Sequence, residues 1–456
     1  MKLVQGNKNG ITEGIIWKQL LIFFFPMLFG TFFQQMYNTV DAIIVGKFIG
    51  KEALSAVGGS TGSIINMFVN FFVGLSTGAT VIISQYYGGN HEEDVSKAVH
   101  TSIALALVGG FIVTLIGIIS APVALRLMGT PEDIMSESLI YLRLYFGGMI
   151  PILFFNMGAG ILRAVGDSKR PLYYLIVSSL VNIFLVLLFV VVFKLGVGGT
   201  AVATVISNLL SAIFVYLFLK RSLQCYKIDK KLIRLDKEML KKIMRIGLPA
   251  GFQSLMYSLA NIVIQASINS FGTDTVAAWA AYAKIDGIYW LIIASFGVSV
   301  TTFVGQNYGA QKYSRVKQGI NVCLVMTLSV SAVLSLVLYF GSNQFFVFFT
   351  NDMNVIRIGT EMVKLMVPAY FTYVFIEIYS GALRGMGNSL IPMVLTGLGV
   401  CVFRIMWIFI MLPKWKDFIT VVMSYPLSWI ITAIFFTVYY KYYIHKQKAF
   451  TLSHNL

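Results

Sequence analysis

The segment GILRAVGDSKRP at Gly160–Pro171 recurs in the second half of the chain as GALRGMGNSLIP at Gly381–Pro392. Both copies match the pattern GxLRxxG[DN]SxxP, so that Arg163 of the first corresponds to Arg384 of the second. Repeats of this kind are typical of transporters built from two related halves. We therefore predict that the 456-residue chain contains one structural unit twice.

Two further pairs of segments keep nearly the same separation along the chain. SQYYG at Ser84–Gly88 corresponds to GQNYG at Gly305–Gly309, and this separation equals that between Arg163 and Arg384. FPMLFGTFFQQMY corresponds to LPAGFQSLMY, with Pro26 matching Pro249 at a slightly larger separation. The duplication therefore runs from the first apolar segment of each half to its fourth.

The composition places this duplicated unit in a membrane. The chain is 57% hydrophobic and 12% charged, whereas soluble domains carry about 25% charged residues. A transmembrane helix takes about 20 apolar residues, and twelve apolar runs with short loops use nearly the whole chain. A large soluble catalytic domain is excluded, and since HExxH and GxxxxGK[ST] are absent from the sequence we expect no enzyme.

Twelve spans and a twofold repeat define the predicted architecture. We predict an all-α polytopic membrane protein, with 12 transmembrane helices in two six-helix bundles related by pseudo-two-fold symmetry along the membrane normal. The predicted domains are an N-lobe of residues 1–221, a basic cytoplasmic linker of residues 222–242 and a C-lobe of residues 243–456. Two bundles that rock about a central site favour a transporter.

Basic residues predict the orientation. The 35 Lys+Arg and 19 Asp+Glu give a net charge of +16, which in a soluble protein would indicate a nucleic-acid partner. In membrane proteins, however, cytoplasmic loops retain Lys and Arg. The loop after the sixth span carries ten of them: Lys220, Arg221, Lys227, Lys230, Lys231, Arg234, Lys237, Lys241, Lys242 and Arg245. We predict a multi-pass protein of the cell membrane with both termini in the cytoplasm and no nucleic-acid partner; a basic arm for anionic lipid or RNA is the alternative.

The first span contains a proline and a carboxylate. Pro26 removes a helical hydrogen bond and predicts a kink. Asp41 lies about 22 Å further along the helix, in the apolar stretch VDAIIVG. A carboxylate at membrane depth is costly and indicates function. The alternatives are a static kink filled by packing, and a span that ends early enough for Asp41 to touch water.

The polar residues of the two halves differ. Asn156, Asn182 and Thr204 lie in the fourth, fifth and sixth spans, and their counterparts are Glu377, Phe403 and Tyr425. One carboxylate with several neutral oxygens suits a proton or Na⁺. We therefore predict that Asp41, Asn182, Thr204 and Asn156 bind the coupling cation, with no other metal or cofactor; interhelical hydrogen bonding is the alternative for the neutral residues.

Charged residues of the second half allow two interpretations. Glu377 and Arg404 both lie deep in apolar sequence, and we predict that they form a structural ion pair. A role for Glu377 in binding substrate or a second cation is the alternative. Asp286 and Lys284, near the start of the eighth span, carry less weight because they can snorkel to the interface.

A substrate cavity is expected beside Asp41. Gln34 and Tyr37 precede Asp41 at helical spacing, which places the three side chains on one face of the first helix. Together with Glu377 they are the predicted lining of a cavity for flat cationic or amphipathic molecules.

Three motifs together resemble the multidrug and toxic compound extrusion (MATE) family. They are PMLFGTFFQQMYNTVDAIIVGKFIG in the first span, SQYYG at the end of the second, and the twice-used GxLRxxG[DN]SxxP. The resemblance covers nearly the whole chain. The major facilitator family is also built from two sets of six spans, but the loop GGNHEEDVSK after the second span lacks the basic signature which that family carries there.

The resemblance implies an H⁺- or Na⁺-coupled antiporter that exports organic, often cationic compounds, and we expect it to act as a monomer. Asp41 matches the ion-binding aspartate of the first helix, Pro26 the proline at which that helix bends, and Asn182 and Thr204 the ligands on helices five and six. Val186 stands where some members carry a second aspartate, and the seventh helix lacks their glutamate, which shifts the expectation from Na⁺ toward H⁺. A flippase for a lipid-linked saccharide, or another exporter of the same superfamily, is the alternative.

Overall fold

The structure, a computed structural model, describes residues 11–453, with side chains up to residue 446. These residues form helices and turns with no strand. The helices of the first half are α1 (Ile16–Phe48), α2 (Lys51–Gly58), α3 (Ser60–Gly88), α4 (Glu92–Leu127), α5 (Glu132–Gly147), α6 (Met149–Ala164), α7 (Lys169–Val186) and α8 (Gly196–Arg221). Those of the second half are α9 (Lys237–Asn269), α10 (Thr273–Gly309), α11 (Tyr313–Phe349), α12 (Met353–Met366), α13 (Tyr370–Gly385), α14 (Leu390–Thr396), α15 (Phe403–Met411) and α16 (Phe418–Ser453).

The number of spans agrees with the sequence. Over residues 11–453, ten helical segments are long and apolar enough to cross a membrane, and the pair α5 and α6, bent by 50°, makes an eleventh. Helix α9 is 33 residues long, which is enough to cross a membrane. Its first turns are basic, and it carries Gln253, Asn261 and Gln265 further along. It is therefore too polar to be identified as a membrane span from its composition alone. With α9 there are twelve, which confirms the all-α polytopic fold.

Several spans are not regular α-helices. The α5–α6 bend lies at Gly147 and Gly148, where two glycines weaken the helix. The fifth span ends in a π-helical turn at Leu187–Val192, and the eleventh contains one at Gly397–Val402. These turns are not at corresponding positions of the repeat, so the two halves differ in backbone as well as in polar residues.

The described chain divides into two compact units within α1 and α9. The N-terminal unit comprises Phe25–Gly251, and the C-terminal unit comprises Ile11–Phe24 together with the chain from Phe252 onward. The predicted domains, 1–221 and 243–456, differ from this division because the first part of each proline-bearing helix packs with the other half of the sequence. In both helices the change of unit lies within three residues of the proline.

Close packing accounts for the two exchanged segments. In the C-terminal unit, the Phe24 ring stacks on the Phe296 ring with centroids 4.1 Å apart. In the N-terminal unit, a Cβ added at Gly78 of α3 would lie 2.6 Å from the backbone nitrogen of Gly247 on α9. Contact this close requires glycine on α3.

The predicted linker is packed against the N-terminal unit. His100 Nδ1 bonds the Ser96 carbonyl at 2.7 Å, which leaves Nε2 to accept a hydrogen bond from the Asp229 backbone N–H at 2.9 Å. Ile228 is 2% exposed. Residues 222–242 are therefore docked by a buried side chain and a backbone hydrogen bond rather than forming a free tether.

Candidate functional site

A polar cluster lies inside the N-terminal unit, where α1 meets α7 and α8. Asp41 is 8% exposed and Asn182 is 1% exposed. In the amide orientation that satisfies its neighbours, the Asn182 nitrogen donates to both Asp41 carboxylate oxygens, at 2.9 and 3.1 Å. The Thr204 hydroxyl lies 3.5 Å from the same amide and donates to the Thr200 carbonyl at 3.0 Å. The structure thus brings three of the four predicted cation ligands together.

Asp41 has no basic side chain as a partner among the described residues. Within residues 11–453, no lysine or arginine forms an ion pair with Asp41. Tyr37 and Tyr141 are close enough to Asp41 to interact electrostatically, and Val186 is fully buried. A buried carboxylate without a charged partner is held at lower cost when a proton or a cation neutralises it.

The other predicted residues of the N-terminal unit form no hydrogen bond with Asp41 in the described part of the chain. Asn156 Nδ2 donates to the Ile152 carbonyl of its own helix at 3.0 Å. Gln34 is exposed on α1 and Tyr37 is half-buried. One face of α1 carries Gln34, Tyr37 and Asp41, and the burial of these side chains increases from Gln34 to Asp41.

Pro26 is buried within α1, which remains helical on both sides of it. The proline has no N–H to bond the Ile22 carbonyl, so the helix lacks one hydrogen bond where it passes from one unit to the other. Beyond Pro26, large apolar side chains of α1 are exposed, among them Phe29, Phe32 and Met36. The part of α1 between Pro26 and Asp41 therefore leaves several of its large apolar side chains exposed.

The second half does not form the predicted ion pair. Arg384 Nη2 lies 3.8 Å from Glu377 Oε1 on the same helix, α13. Arg404 instead donates from Nη2 to Ser428 Oγ at 3.0 Å and lies over the Tyr425 ring, with Cζ 3.8 Å from its centroid. The prediction that Glu377 pairs with Arg404 is wrong. Arg384, two turns further along α13, lies beside the Glu377 carboxylate instead.

A cavity in the C-terminal unit is lined by Asp286, which the sequence predicts to be interfacial. Its volume is about 440 Å³, and Asp286 and Arg404 are among its lining residues. Asp286 accepts hydrogen bonds from the Tyr370 hydroxyl and from Trp290 Nε1. Tyr282 and Trp290, four residues before and after Asp286, share its helix face, and this aromatic spacing was the available signal.

Known proteins resemble the whole chain. A family model described as MatE matches residues 26–188 and 249–410, together more than half of the chain, and both matches begin within a residue of the α1 and α9 prolines. A probable multidrug resistance protein, YoeA of Bacillus subtilis, is 28% identical over 444 residues, which cover 96% of this chain and 96% of that protein.

Solved structures share the fold. Two of them, described as MATE in the bent conformation and MATE in the straight conformation, match with TM-scores of 0.91 and 0.90. Each is 22% identical in sequence, and the matches cover 98% of this chain and 99% and 100% of theirs. The predicted fold of twelve helices in two bundles is thereby confirmed.

Proposed function

The protein belongs to the MATE family, and we propose that it is a multidrug efflux transporter that exports organic, cationic or amphipathic compounds in exchange for H⁺ or Na⁺. The relative from B. subtilis is described as a probable multidrug resistance protein, which supports export of organic compounds. The buried contact between Asp41 and Asn182 carries the proposal, because a carboxylate that lacks a charged partner is suited to take up and release a cation.

The donor set favours a proton over Na⁺. Na⁺ prefers several oxygen ligands, and Val186 supplies none where some family members have a second acid. A proton needs only the carboxylate itself. Separate pH and Na⁺ gradients across vesicles distinguish the two ions.

Uptake of the ion is coupled to bending of α1 in this proposal. A cation from outside neutralises Asp41, and the arm of α1 beyond Pro26 changes its position. Substrate then leaves outward, and release of the ion inside resets the transporter. A ligand shifts a conformational equilibrium only if it binds the two states differently, and neutralising a buried charge provides that difference. Related proteins solved in bent and straight conformations support two states.

A lipid-linked saccharide flippase is less well supported. Binding a pyrophosphate calls for several basic side chains in one cavity. The cavity of the C-terminal unit is lined by one arginine and one aspartate, with aromatic side chains around them. That lining favours organic molecules with flat apolar parts.

Both termini are proposed to lie in the cytoplasm. Lys227, Lys230 and Lys231 lie in the segment that docks on the N-terminal unit between α8 and α9. A loop this basic is retained on the cytoplasmic side, and the termini share its side because six helices separate each of them from it.

Vesicles containing the purified protein test the function. We expect a fluorescent organic cation to move against its gradient when a pH gradient alone is imposed, and much less when a Na⁺ gradient alone is imposed. Vesicles without protein give the background. Equal transport with no ion gradient of either kind would contradict coupled exchange, and transport with Na⁺ alone would reverse the preference for H⁺.

A further inference from the structure

The segment that precedes α1 is held to the C-terminal unit by its backbone carbonyls. Arg315, in the first turn of α11, donates from Nη1 to the Gly14 carbonyl at 2.8 Å. Its Nη2 donates to the Glu13 carbonyl at 2.8 Å and to the Ile11 carbonyl at 3.3 Å. Gly14 has a φ of 75°, a left-handed conformation that favours glycine. One guanidinium therefore holds three carbonyls of a single turn.

Two side chains near Arg315 hold the same segment. Lys312 Nζ donates to the Thr12 carbonyl at 3.0 Å, and Asn307 Nδ2 donates to the Ile11 carbonyl at 3.4 Å. The Ile11 side chain is 8% exposed. Hydrogen bonds from charged donors are roughly twice as strong as those between neutral groups. The base of α1 is therefore fixed through its backbone as well as through one buried side chain.

The N-terminal unit has a corresponding contact. By the repeat, Tyr86 of SQYYG corresponds to Asn307 of GQNYG. The Tyr86 hydroxyl accepts a hydrogen bond from Lys242 Nζ at 2.8 Å, and the ammonium group lies 5.6 Å from the centroid of the Tyr86 ring. Lys242 lies in α9, ahead of Pro249. In each unit the third residue of this duplicated motif therefore contacts the chain ahead of a helix-bound proline.

We propose that the anchor formed by Arg315, Lys312 and Asn307 positions α1 for transport. It fixes the base of the helix to the C-terminal unit while the arm beyond Pro26 moves. This inference rests on the proposed coupling between Asp41 and the bending of α1. If the base were loose, neutralising Asp41 would shift the whole helix, and less of the free-energy difference between the two states would act on the bend.

Distances between spin labels on the purified full-length protein test whether the base stays fixed. One label is placed at Ile15→Cys, next to the anchored carbonyls, and the other at Val333→Cys, about 27 Å along α11 from Arg315. Both positions are more than half exposed. Cys225→Ser removes the half-buried native cysteine, and the other two are buried. We expect one narrow distribution of distances that is the same at acid and at alkaline pH.

Substitutions at the anchor should loosen the base. Arg315→Gln removes three hydrogen bonds and should broaden the distribution of distances. Because loss of one charge-assisted hydrogen bond shifts a population about tenfold, we expect the export rate in vesicles to fall by that factor or more. Arg315→Lys keeps the charge without the planar fork and should recover part of both. Lys317→Gln removes the same charge at an exposed site two residues along α11, so this matched control should change neither.

A wild-type distance between Ile15→Cys and Val333→Cys that changes with pH would overturn the proposal. A distribution that stays narrow in Arg315→Gln, or export at the wild-type rate by that variant, would do the same. Where Arg315→Gln does not yield folded protein, the wild-type distances decide alone. A label at Phe32→Cys, at an exposed position of the arm, separates this inference from the proposed function. An unchanged distance from this label to Val333→Cys would contradict the bending of α1, whereas a moving base contradicts only the anchor.

Discussion

Asp41 is held by two hydrogen bonds from one amide. Its apolar neighbours in sequence were sufficient to single it out, because a carboxylate in such a stretch must have a reason to be there. The contact with Asn182 was expected from the grouping of the polar residues of the first half and from the family resemblance, since no local pattern relates residues on α1 and α7. Whether the cluster binds the coupling ion stays a prediction.

Three other charged residues differ from their predicted surroundings. Glu377 and Arg384 are seven residues apart on α13, a spacing that returns to the same helix face, so their pairing was predictable. The sequence predicts that Asp286 can snorkel to the interface, yet it lies about 20 Å from the start of α10. Its partner Tyr370 comes from another helix, and helix rotation cannot be predicted from one sequence.

The Glu377–Arg384 pair gives a prediction about stability. Each single substitution, Glu377→Gln or Arg384→Gln, leaves a largely buried charge without its partner and should cost roughly 3 kcal/mol. The double variant removes both charges and should cost less than either single one. Thermal unfolding of the purified protein in detergent measures this.

Arg357→Gln, at an exposed site, is the control and should have little effect. If the effect of the double variant equals the sum of the two single effects, the side chains do not interact, and the 3.8 Å contact contributes nothing to stability.

At the scale of elements, the two proline-bearing helices connect the units. The sequence predicted both prolines and a kink at Pro26. It did not predict that the residues before each proline pack with the opposite half, as Phe24 does with Phe296. Such packing depends on which helices meet in three dimensions. The π-helical turn at Gly397–Val402 was missed for the same reason, since its sequence is ordinary for a span.

Pro26→Ala tests the bending of α1. Alanine restores the hydrogen bond to the Ile22 carbonyl and favours the straight helix by up to about 3 kcal/mol, which lowers the bent population by as much as roughly a hundredfold. We expect the export rate in vesicles to fall strongly while thermal stability is kept or rises.

Pro122→Ala is the matched control, because Pro122 lies inside α4 and away from the change of unit. It should leave the export rate near that of the wild type. Full export by Pro26→Ala would show that transport does not require a bend at this position.

At the scale of the whole molecule, the repeat was the strongest predictor. The two GxLRxxG[DN]SxxP segments, separated by nearly half of the chain, indicated two halves of six spans, and the structure and the family agree. The domain boundaries were less predictable, because the linker gives no sign that Ile228 is buried against the first half or that α9 changes unit after Gly251.

Orientation is tested by labelling introduced cysteines from the two sides of the membrane, with the buried Cys323 and Cys401 left in place. In a Cys225→Ser background, Leu223→Cys places a thiol at a position 87% exposed, on the side that we propose is cytoplasmic. Asn351→Cys, between α11 and α12, is its counterpart on the opposite side. A membrane-impermeant maleimide should label Asn351→Cys but not Leu223→Cys in intact cells. The reverse pattern would invert the proposed orientation.

We propose that neutralisation of Asp41 drives export, and Asp41→Asn in proteoliposomes removes this step. Asparagine keeps the shape of the side chain but cannot gain or lose a proton. Export of a fluorescent cation under an imposed pH gradient should fall to the level of vesicles without protein, while Asp133→Asn, at an exposed acid of α5, exports like the wild type. Export by Asp41→Asn at the wild-type rate under the same gradient would show that export does not depend on protonation of Asp41.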